Sequence, residues 1–152
     1  MNLTEAEKKL WENEEVKDRK KEGYYLSSIM LILDSFDRIN SWHFVFFEPQ
    51  SKNVFTAEVD EQNIKIGKPS QPLVEEHYEE LSLEGVKPKK VLELIKEKSG
   101  KLVKNKTCKI LLTLRENTWR AAITTSDLTM IRLDIEKGTH KVLKDEISSM
   151  LR

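Results

Sequence analysis

The sequence contains few of the residues that usually mark a binding or catalytic site. Its 152 residues include a single cysteine, Cys108, and five glycines that are scattered singly along the chain. One cysteine cannot form an intramolecular disulfide, and a free cysteine usually behaves as a small buried hydrophobic residue. A phosphate-binding loop needs clustered glycines. The sequence therefore excludes a disulfide scaffold and a glycine-rich nucleotide site.

The sequence also lacks a net charge and a long hydrophobic segment. The 26 basic and 26 acidic side chains balance, so no global field directs the protein toward nucleic acid or an anionic membrane. The longest apolar stretch, residues 24–33, is interrupted by Ser27 and Ser28 and is far shorter than the ~20 residues of a membrane span. The first residues are too acidic for a signal peptide. We therefore expect a soluble cytoplasmic protein that makes no membrane contact.

The polar residues do not form a recognisable catalytic or metal-binding pattern. Three histidines fall in three different predicted elements, without metal-ligand spacing: His43, His77 and His140. His77 lies in the acidic stretch 75–80, but that stretch lacks the second histidine that a zinc-binding helix of the H-E-x-x-H type requires. A solvated acidic helix is the simpler interpretation. We therefore predict no catalytic residue, no metal, no cofactor and no enzymatic activity.

Three consecutive antiparallel strands are predicted in the second half of the chain. Residues 110–114, 118–124 and 129–135 are rich in β-branched and apolar side chains, and apolar residues alternate with polar ones in the third segment. Alternation with a period of two, bounded by polar turn residues, is the signal of strands and hairpins. Gly138 follows the third strand in a turn where a positive φ is allowed.

The first half carries a similar strand pattern. Residues 41–47 form an apolar strand with Trp42, Phe44 and Phe46 on one face. Residues 48–53 form a hairpin loop, residues 54–59 pair back, and residues 64–66 form a short third strand. Because both faces of the first strand are largely apolar, this strand is either covered on both sides or exposed at a contact.

Helices are predicted before each group of strands. Thr4 and Glu7 match a capping box, which predicts a helix that begins at Thr4 and continues as a polar helix to residue 22. The apolar residues of 24–39 fall at helical spacing and predict the most hydrophobic helix of the chain.

Three further helices are predicted in the second half and in the segment before it. The acidic segment 74–83 is a short helix, and residues 86–100 form a helix with Pro88 near its start and Ser99 and Gly100 at its end. Residues 144–152 close the fold as a last helical turn or two.

The order of elements repeats, which predicts an α+β fold of two α-β-β-β repeats whose antiparallel sheets pack against helices. The first unit covers residues 1–69, a connector covers residues 70–85, and the second unit covers residues 86–152 in one compact structure. A repeated supersecondary unit of this kind buries its open face on its neighbour.

A short motif in the second half resembles that of a known family. In the stretch 131–143, IRLDIEKGTHKVL, Leu133-Asp134 and Gly138 with Val142-Leu143 match the last strand of PepSY domains, V-x-V-D-x-x-T-G-x-V-L. Thr139 follows the glycine here instead of preceding it. The resemblance spans residues 85–143, and the first half is similar in element order only. It implies a non-catalytic inhibitory or regulatory module of the kind that accompanies secreted peptidases and envelope proteins. The expected absence of a leader sequence does not fit that setting.

The charges are segregated along the chain. Residues 87–109 contain nine lysines but only two glutamates, whereas residues 58–84 are acidic. One interpretation is that both segments are solvated faces that neutralise each other, and the other is that the lysines form a basic patch for an acidic partner or nucleic acid. Lysines without interleaved arginines or aromatics suit phosphate contact rather than base recognition. The candidate partner surface comprises Trp42, Phe44, Phe46, Lys87, Lys89, Lys90, Lys101, Lys104 and Lys106, although such aromatics more often belong to a core.

These observations favour a non-catalytic protein-interaction or regulatory module that recognises an unidentified protein partner through an exposed sheet face or strand edge. Homodimerisation is compatible with the two-faced apolar strand. The alternative is a nucleic-acid-associated protein that uses the basic patch 87–109, and steep salt dependence of binding would mark it. A small enzyme is the third hypothesis, and a deep pocket with a strongly shifted pKa would favour it.

Overall fold

A computed structural model describes residues 1–74, 76–104 and 106–149. In the described residues, the fold is α+β, with three helices and one eight-stranded antiparallel sheet in the strand order β4-β3-β2-β1-β5-β6-β7-β8. The α+β prediction is therefore confirmed. The elements in chain order are α1 (Leu3–Glu12), α2 (Glu14–Lys21), β1 (Tyr25–Leu33), β2 (Ser41–Glu48), β3 (Asn53–Asp60), β4 (Ile64–Ile66), α3 (Pro88–Val103), β5 (Cys108–Arg115), β6 (Thr118–Thr125), β7 (Thr129–Glu136) and β8 (Val142–Ser149).

The contacts between residues divide the chain into two units. The first comprises Met1–Met30 and Asn40–Ser82, and the second comprises Leu31–Ile39 and the described chain from Leu83 onward. Strand β1 contributes to both units, because it continues past Met30 to Leu33. None of the helices in the described part of the chain has the length and hydrophobicity that crossing a bilayer requires.

Helices α1 and α2 of the first unit are separate elements, although the sequence predicted one helix. The N-cap of α1 is Asn2, whose side chain accepts a hydrogen bond from the Glu5 N–H at 2.8 Å. The predicted capping box at Thr4 and Glu7 is therefore wrong: an asparagine two residues earlier already satisfies a free N–H of the first turn. Asn13 ends α1 and caps α2.

Strand β1 replaces the hydrophobic helix predicted over residues 24–39. Six of the nine residues from Tyr25 to Leu33 are buried, and a β-bulge between Leu26 and Ser28 shifts the alternation of buried and less buried residues. After the bulge, Ile29, Leu31 and Leu33 are buried on one face, whereas Ile32 on the other face is 52% exposed. Because the less buried face also carries apolar side chains, the sequence shows a continuous apolar run, which resembles a buried helix. The helix prediction is therefore wrong because the apolar spacing reflected a strand with apolar residues on both faces.

The segment before Leu83 runs beside β1 and is not the predicted acidic helix. The Leu81 N–H donates to the Leu26 carbonyl at 2.8 Å, and the Tyr25 hydroxyl donates to the Tyr78 carbonyl at 2.7 Å. Among the described residues of 74–83, none is helical. Backbone groups that bond to a neighbouring strand cannot also close helical turns, so this prediction is wrong.

The second unit places helix α3 on strands β6 and β7. Pro88 occupies the first turn of α3, as predicted. The helix does not end at Ser99 but continues to Val103. The Ser99 side chain is buried within the helix, and its hydroxyl donates to the Ile95 carbonyl at 2.6 Å. The apolar face of α3 consists of Val91, Leu92 and Ile95.

Strands β5, β6 and β7 confirm the three strands predicted in the second half, and β8 is added to them. The sequence predicted a final helix over residues 144–152, but residues up to Ser149 pair with β7, with Ile147 opposite Ile131. The helix prediction is therefore wrong for the described part of the segment. Met150, Leu151 and Arg152, which the prediction also covered, lie outside the described residues.

Candidate functional site

The aromatic residues of the candidate partner surface lie in the core of the first unit. Trp42, Phe44 and Phe46 are fully buried on β2. The Phe46 ring stacks on Phe55 of β3 with centroids 4.7 Å apart, and Trp11 of α1 meets it edge-on at 5.8 Å. Since these three side chains are fully buried, they are not available to a partner, which corrects their assignment to an exposed surface.

The lysines of the candidate surface are exposed and surround helix α3. Lys87, Lys89 and Lys90 lie at its start, and Lys101 and Lys104 lie at its end. Lys106 follows the helix and is paired with Asp127, with Nζ to Oδ2 at 2.7 Å.

Acidic residues of the same unit neutralise other lysines of the basic patch 87–109. Lys96 pairs with Asp37 at 3.3 Å, and Lys109 pairs with Asp34 at 2.6 Å. The predicted basic patch is therefore exposed but interrupted by ion pairs within its own unit. A partner that binds phosphate would find fewer unpaired charges here than the sequence suggests.

The carboxylates with lowered pKa belong to turns. The N–H groups of Asn63 and Gln62 hold the pKa of Asp60 below its usual value, because they donate hydrogen bonds to its ionised form. In the same way, the N–H groups of Gln50 and Ser51 lower the pKa of Glu48. Local turn bonding explains both shifts.

The single thiol, that of Cys108, does not have the lowered pKa of a nucleophilic cysteine. Cys108 is partly buried at the start of β5, and burial raises its pKa, with a further increase from the negative charge of Asp34. A reactive cysteine needs a lowered pKa, since the thiolate is the nucleophile. Cys108 is therefore a protonated thiol of the fold.

Strand β8 of the second unit lies at an edge of the sheet. This strand is eight residues long and is the last in the sheet order, with β7 on one side and no described strand on the other. In such a strand, alternate residues direct their N–H and C=O groups away from the sheet. Seven of its eight residues are exposed. The edge therefore presents a row of backbone hydrogen-bonding groups to solvent.

The side chains of β8 combine two apolar residues with a short run of charges. Leu143 is 50% exposed and Ile147 is 55% exposed. Lys144 and Glu146 lie on one face and form an ion pair at 3.3 Å. These two residues also stand opposite charged residues of β7, Lys144 beside Asp134 and Glu146 beside Arg132.

The register of β8 is regular along most of its length. It shifts between Asp134 and Ile135, where Val142 pairs with Ile135 and Lys144 pairs with Asp134, so Leu143 is the extra residue of a bulge. From Lys144 to Ser149, each residue has one partner on β7. The part of the strand after the bulge is therefore suited to a second strand on its free side.

The sequence did not predict β8 because apolar and polar residues do not alternate regularly along it. The segment 142–149, VLKDEISS, contains neither a steady alternation nor a turn residue that would mark it as a strand. The only available signal was the turn around Gly138, which could have opened a hairpin and predicted a strand after it.

No family model and no curated protein matches the sequence. Among solved structures, the fold is similar to the crystal structure of a putative lipoprotein from Clostridium difficile 630. The two chains are 12% identical, the match covers 88% of this chain and 89% of the other, and the TM-score is 0.53. A similarity at this level of identity shows the fold alone.

Proposed function

We propose that this protein is a non-catalytic protein-interaction module, which binds its partner by adding an extended strand of that partner to β8. One observation carries the proposal: an eight-residue strand ends the sheet with no described strand on its outer side. Addition of a strand to a free sheet edge is a common mode of peptide recognition, in which the main chain supplies affinity and the side chains supply specificity.

The opposite end of the sheet supports this proposal by contrast. Strand β4 has only three residues, Ile64–Ile66, and a very short edge strand is one of the ways in which proteins prevent unwanted pairing. Strand β8 has other protection, namely the bulge at Leu143 and the charge of Lys144, but its regular part remains six residues long. A long edge that is only partly protected is consistent with a binding edge.

The finer architecture also belongs to the proposal. We infer that the two units are diverged copies of one α-β-β-β plan, in the manner of a PepSY-like tandem. The order of elements supports this inference, since α1 and α2 precede β1 to β4 and α3 precedes β5 to β8. A regulatory rather than catalytic role would follow from that kinship.

The cellular location divides the proposal into two cases. One case is a cytoplasmic protein, and the other is a protein located outside the cytoplasm, since the similar crystal structure is that of a putative lipoprotein. Fractionation of the source cell, with the protein detected by antibody, distinguishes the two cases. Recovery with membranes or outside the cell would overturn the cytoplasmic case.

An affinity pull-down from lysate of the source cell tests the strand-edge function. The variant Leu143→Lys with Ile147→Lys adds charge to the edge and removes its two exposed apolar side chains, which should prevent strand addition. Leu102→Lys is the matched control, because Leu102 is a similarly exposed leucine at the end of α3. We expect a nuclease-resistant protein partner that the wild type and the control capture and the edge variant loses.

Two outcomes would overturn the strand-edge function. Capture of the same partner by the edge variant would show that β8 is not the contact. Loss of all captured protein on nuclease treatment would favour the nucleic-acid alternative. Lys87, Lys89, Lys90 and Lys101, all exposed around α3, would then be the residues to replace, and binding should weaken steeply with salt.

A further inference from the structure

We propose that the strand added to β8 is β8 of a second copy of this chain, in an antiparallel register centred on Asp145. This inference rests on the proposed function, because it identifies the partner of the same strand edge. It follows from the symmetry of a two-copy contact and from the order of charged and apolar residues along β8.

Symmetry limits the registers that two identical edges can adopt. In a two-fold dimer, antiparallel strands that join edge to edge are related by an axis perpendicular to the sheet, so each face of one sheet continues into the same face of the other. Directly opposite residues must therefore lie on the same face. Since successive residues of a strand lie on opposite faces, the axis must lie between the two copies of one residue, so that this residue is paired with its own copy.

The register centred on Asp145 pairs complementary residues on both sides of the axis. Lys144 of each copy stands opposite Glu146 of the other, which places two opposite-charge pairs on one face. Leu143, the extra residue of the bulge, lies next to Ile147 of the other copy, so the two exposed apolar residues come close together. Opposite charges and apolar pairs directly across from each other both stabilise a sheet. The one unfavourable pair is Asp145 with its own copy.

The neighbouring registers lack this complementarity. Centring on Lys144 places two lysines opposite each other and Leu143 opposite Asp145. Centring on Glu146 places two glutamates opposite each other and Asp145 opposite Ile147. Centring on Ile147 pairs that residue with itself, but each glutamate and aspartate then stands opposite a serine. Of these four registers, only the one at Asp145 satisfies both the charges and the apolar residues.

The structure of the single chain shows that the charged side chains are already positioned for such pairs. Lys144 and Glu146 project on one face and reach each other at 3.3 Å, so in the dimer each would gain a second partner across the axis. A strand edge alone is a small contact, and small contacts give weak, concentration-dependent association. The test therefore uses covalent trapping, which does not require a tight complex.

Disulfide trapping tests the register directly. In a Cys108→Ser background, Asp145→Cys places two thiols on the axis, where the Cα atoms of opposite residues are about 4.5–5.5 Å apart, within the range of a disulfide. Ser148→Cys is the matched control, because its two copies would be six residues apart along the strands, roughly 20 Å. We expect mild oxidation to give a covalent dimer of the Asp145→Cys variant on a non-reducing gel, with the control remaining monomeric.

The trapping result separates this inference from the proposed function. Absence of the Asp145→Cys dimer, or equal yields from the two variants, would overturn the homodimer. The pull-down with the edge variant would still decide whether β8 binds a different protein. Trapping at Asp145 together with loss of self-association in the edge variant supports both.

Removal of the charge on the axis provides a second test in the otherwise unmodified chain. Asp145→Asn eliminates the like-charge pair, so the dimer should tighten by roughly two- to fivefold, as expected for a directly opposed like-charge pair. Asp18→Asn, which neutralises an exposed aspartate on α2, should leave association unchanged. Sedimentation equilibrium measures both. Unchanged or weaker association of Asp145→Asn would contradict the register.

Discussion

Thr125, at the end of β6, organises the turn into β7. Its side chain is buried, and its hydroxyl oxygen accepts a hydrogen bond from the Thr129 N–H at 3.1 Å. The same hydroxyl donates to the carboxylate of Asp127, which in turn binds Lys106 at 2.7 Å. These donors lower the pKa of Asp127 well below its usual value, with Lys106 as the largest cause. One hydroxyl thus links the backbone of the turn to its ion pair.

Thr125→Val should destabilise the protein by about 1 kcal/mol, because a methyl group replaces a hydroxyl that satisfies a buried turn. Valine has the shape of threonine, so packing changes little. Thr124→Val is the matched control: Thr124 is the neighbouring strand residue on the opposite, more exposed face, and its change should stay within about 0.5 kcal/mol. Urea unfolding measures both. Equal effects of the two substitutions would show that the Thr125 hydroxyl does not stabilise the turn.

At the scale of elements, Asn13 explains why the N-terminal region forms two helices. Its backbone is extended, with φ −70° and ψ 127°. Its N–H donates to the Leu10 carbonyl at 3.3 Å, and its side-chain oxygen accepts from the Val16 N–H at 3.0 Å. The residue therefore closes α1 and opens α2, and it allows Leu10 and Val16 to be buried from two different helices.

Asn13→Ala should cost about 1 kcal/mol, since alanine cannot accept the N-cap hydrogen bond. Asn13→Asp keeps an acceptor at the same position and should remain close to the wild type. Chemical unfolding gives the stability, and far-ultraviolet circular dichroism gives the helix content. A stable Asn13→Ala protein with increased helix content would mean that α1 and α2 fuse without loss, against the role assigned to Asn13.

Two strands, β1 and β8, were not predicted from the sequence, and their side-chain patterns explain why. β1 carries apolar side chains on both faces and a bulge between Leu26 and Ser28, and β8 is exposed on both faces. Alternation of apolar and polar residues arises only when one face is covered and the other is wet. Both strands therefore lack the pattern that identifies a strand, although their backbones pair like those of the other strands.

At the scale of the whole molecule, the turn carboxylates make the stability sensitive to acid. Glu48, Asp60 and Asp127 all have lowered pKa values in the folded protein. In the unfolded chain, their pKa values return to about 3.9–4.3, so the unfolded state binds more protons as the pH approaches this range. Their stabilisation is complete above that range and is lost as the pH falls through the folded values. The pKa of Glu7 is raised by burial and shifts in the opposite direction.

We therefore expect the free energy of unfolding to decrease as the pH falls from about 5 to 2. Asp127→Asn should reduce the slope of this decrease, because its proton uptake on unfolding is removed. Asp18→Asn serves as the control, since Asp18 is an exposed helix residue. Urea unfolding at several pH values gives the slopes. An unchanged slope in Asp127→Asn would show that the Lys106–Thr125 cluster does not carry acid sensitivity.

The exposure and pairing of the candidate site residues are set by long-range contacts and not by a sequence motif. The lysines around α3 are exposed as the sequence indicated, but their ion pairs with Asp34, Asp37 and Asp127 join residues far apart in the chain. The aromatics of β2 were assigned to a surface because both faces of that strand are apolar, and the structure buries Trp42, Phe44 and Phe46, with Trp11 of α1 against Phe46. Long-range contacts of this kind leave no local pattern.

By itself, the sequence determined α3, β2 to β4 and the three strands β5 to β7, because each shows either an apolar face with a period of 2 or 3.6 or a short apolar run between turn residues. It also determined the turns between those strands. Only the tertiary structure decided that residues 25–33 form a central strand and that residues 142–149 form the free edge of the sheet. A strand's place in a sheet is set by its neighbours, and the number of covered faces, rather than propensity, then sets its pattern of side chains.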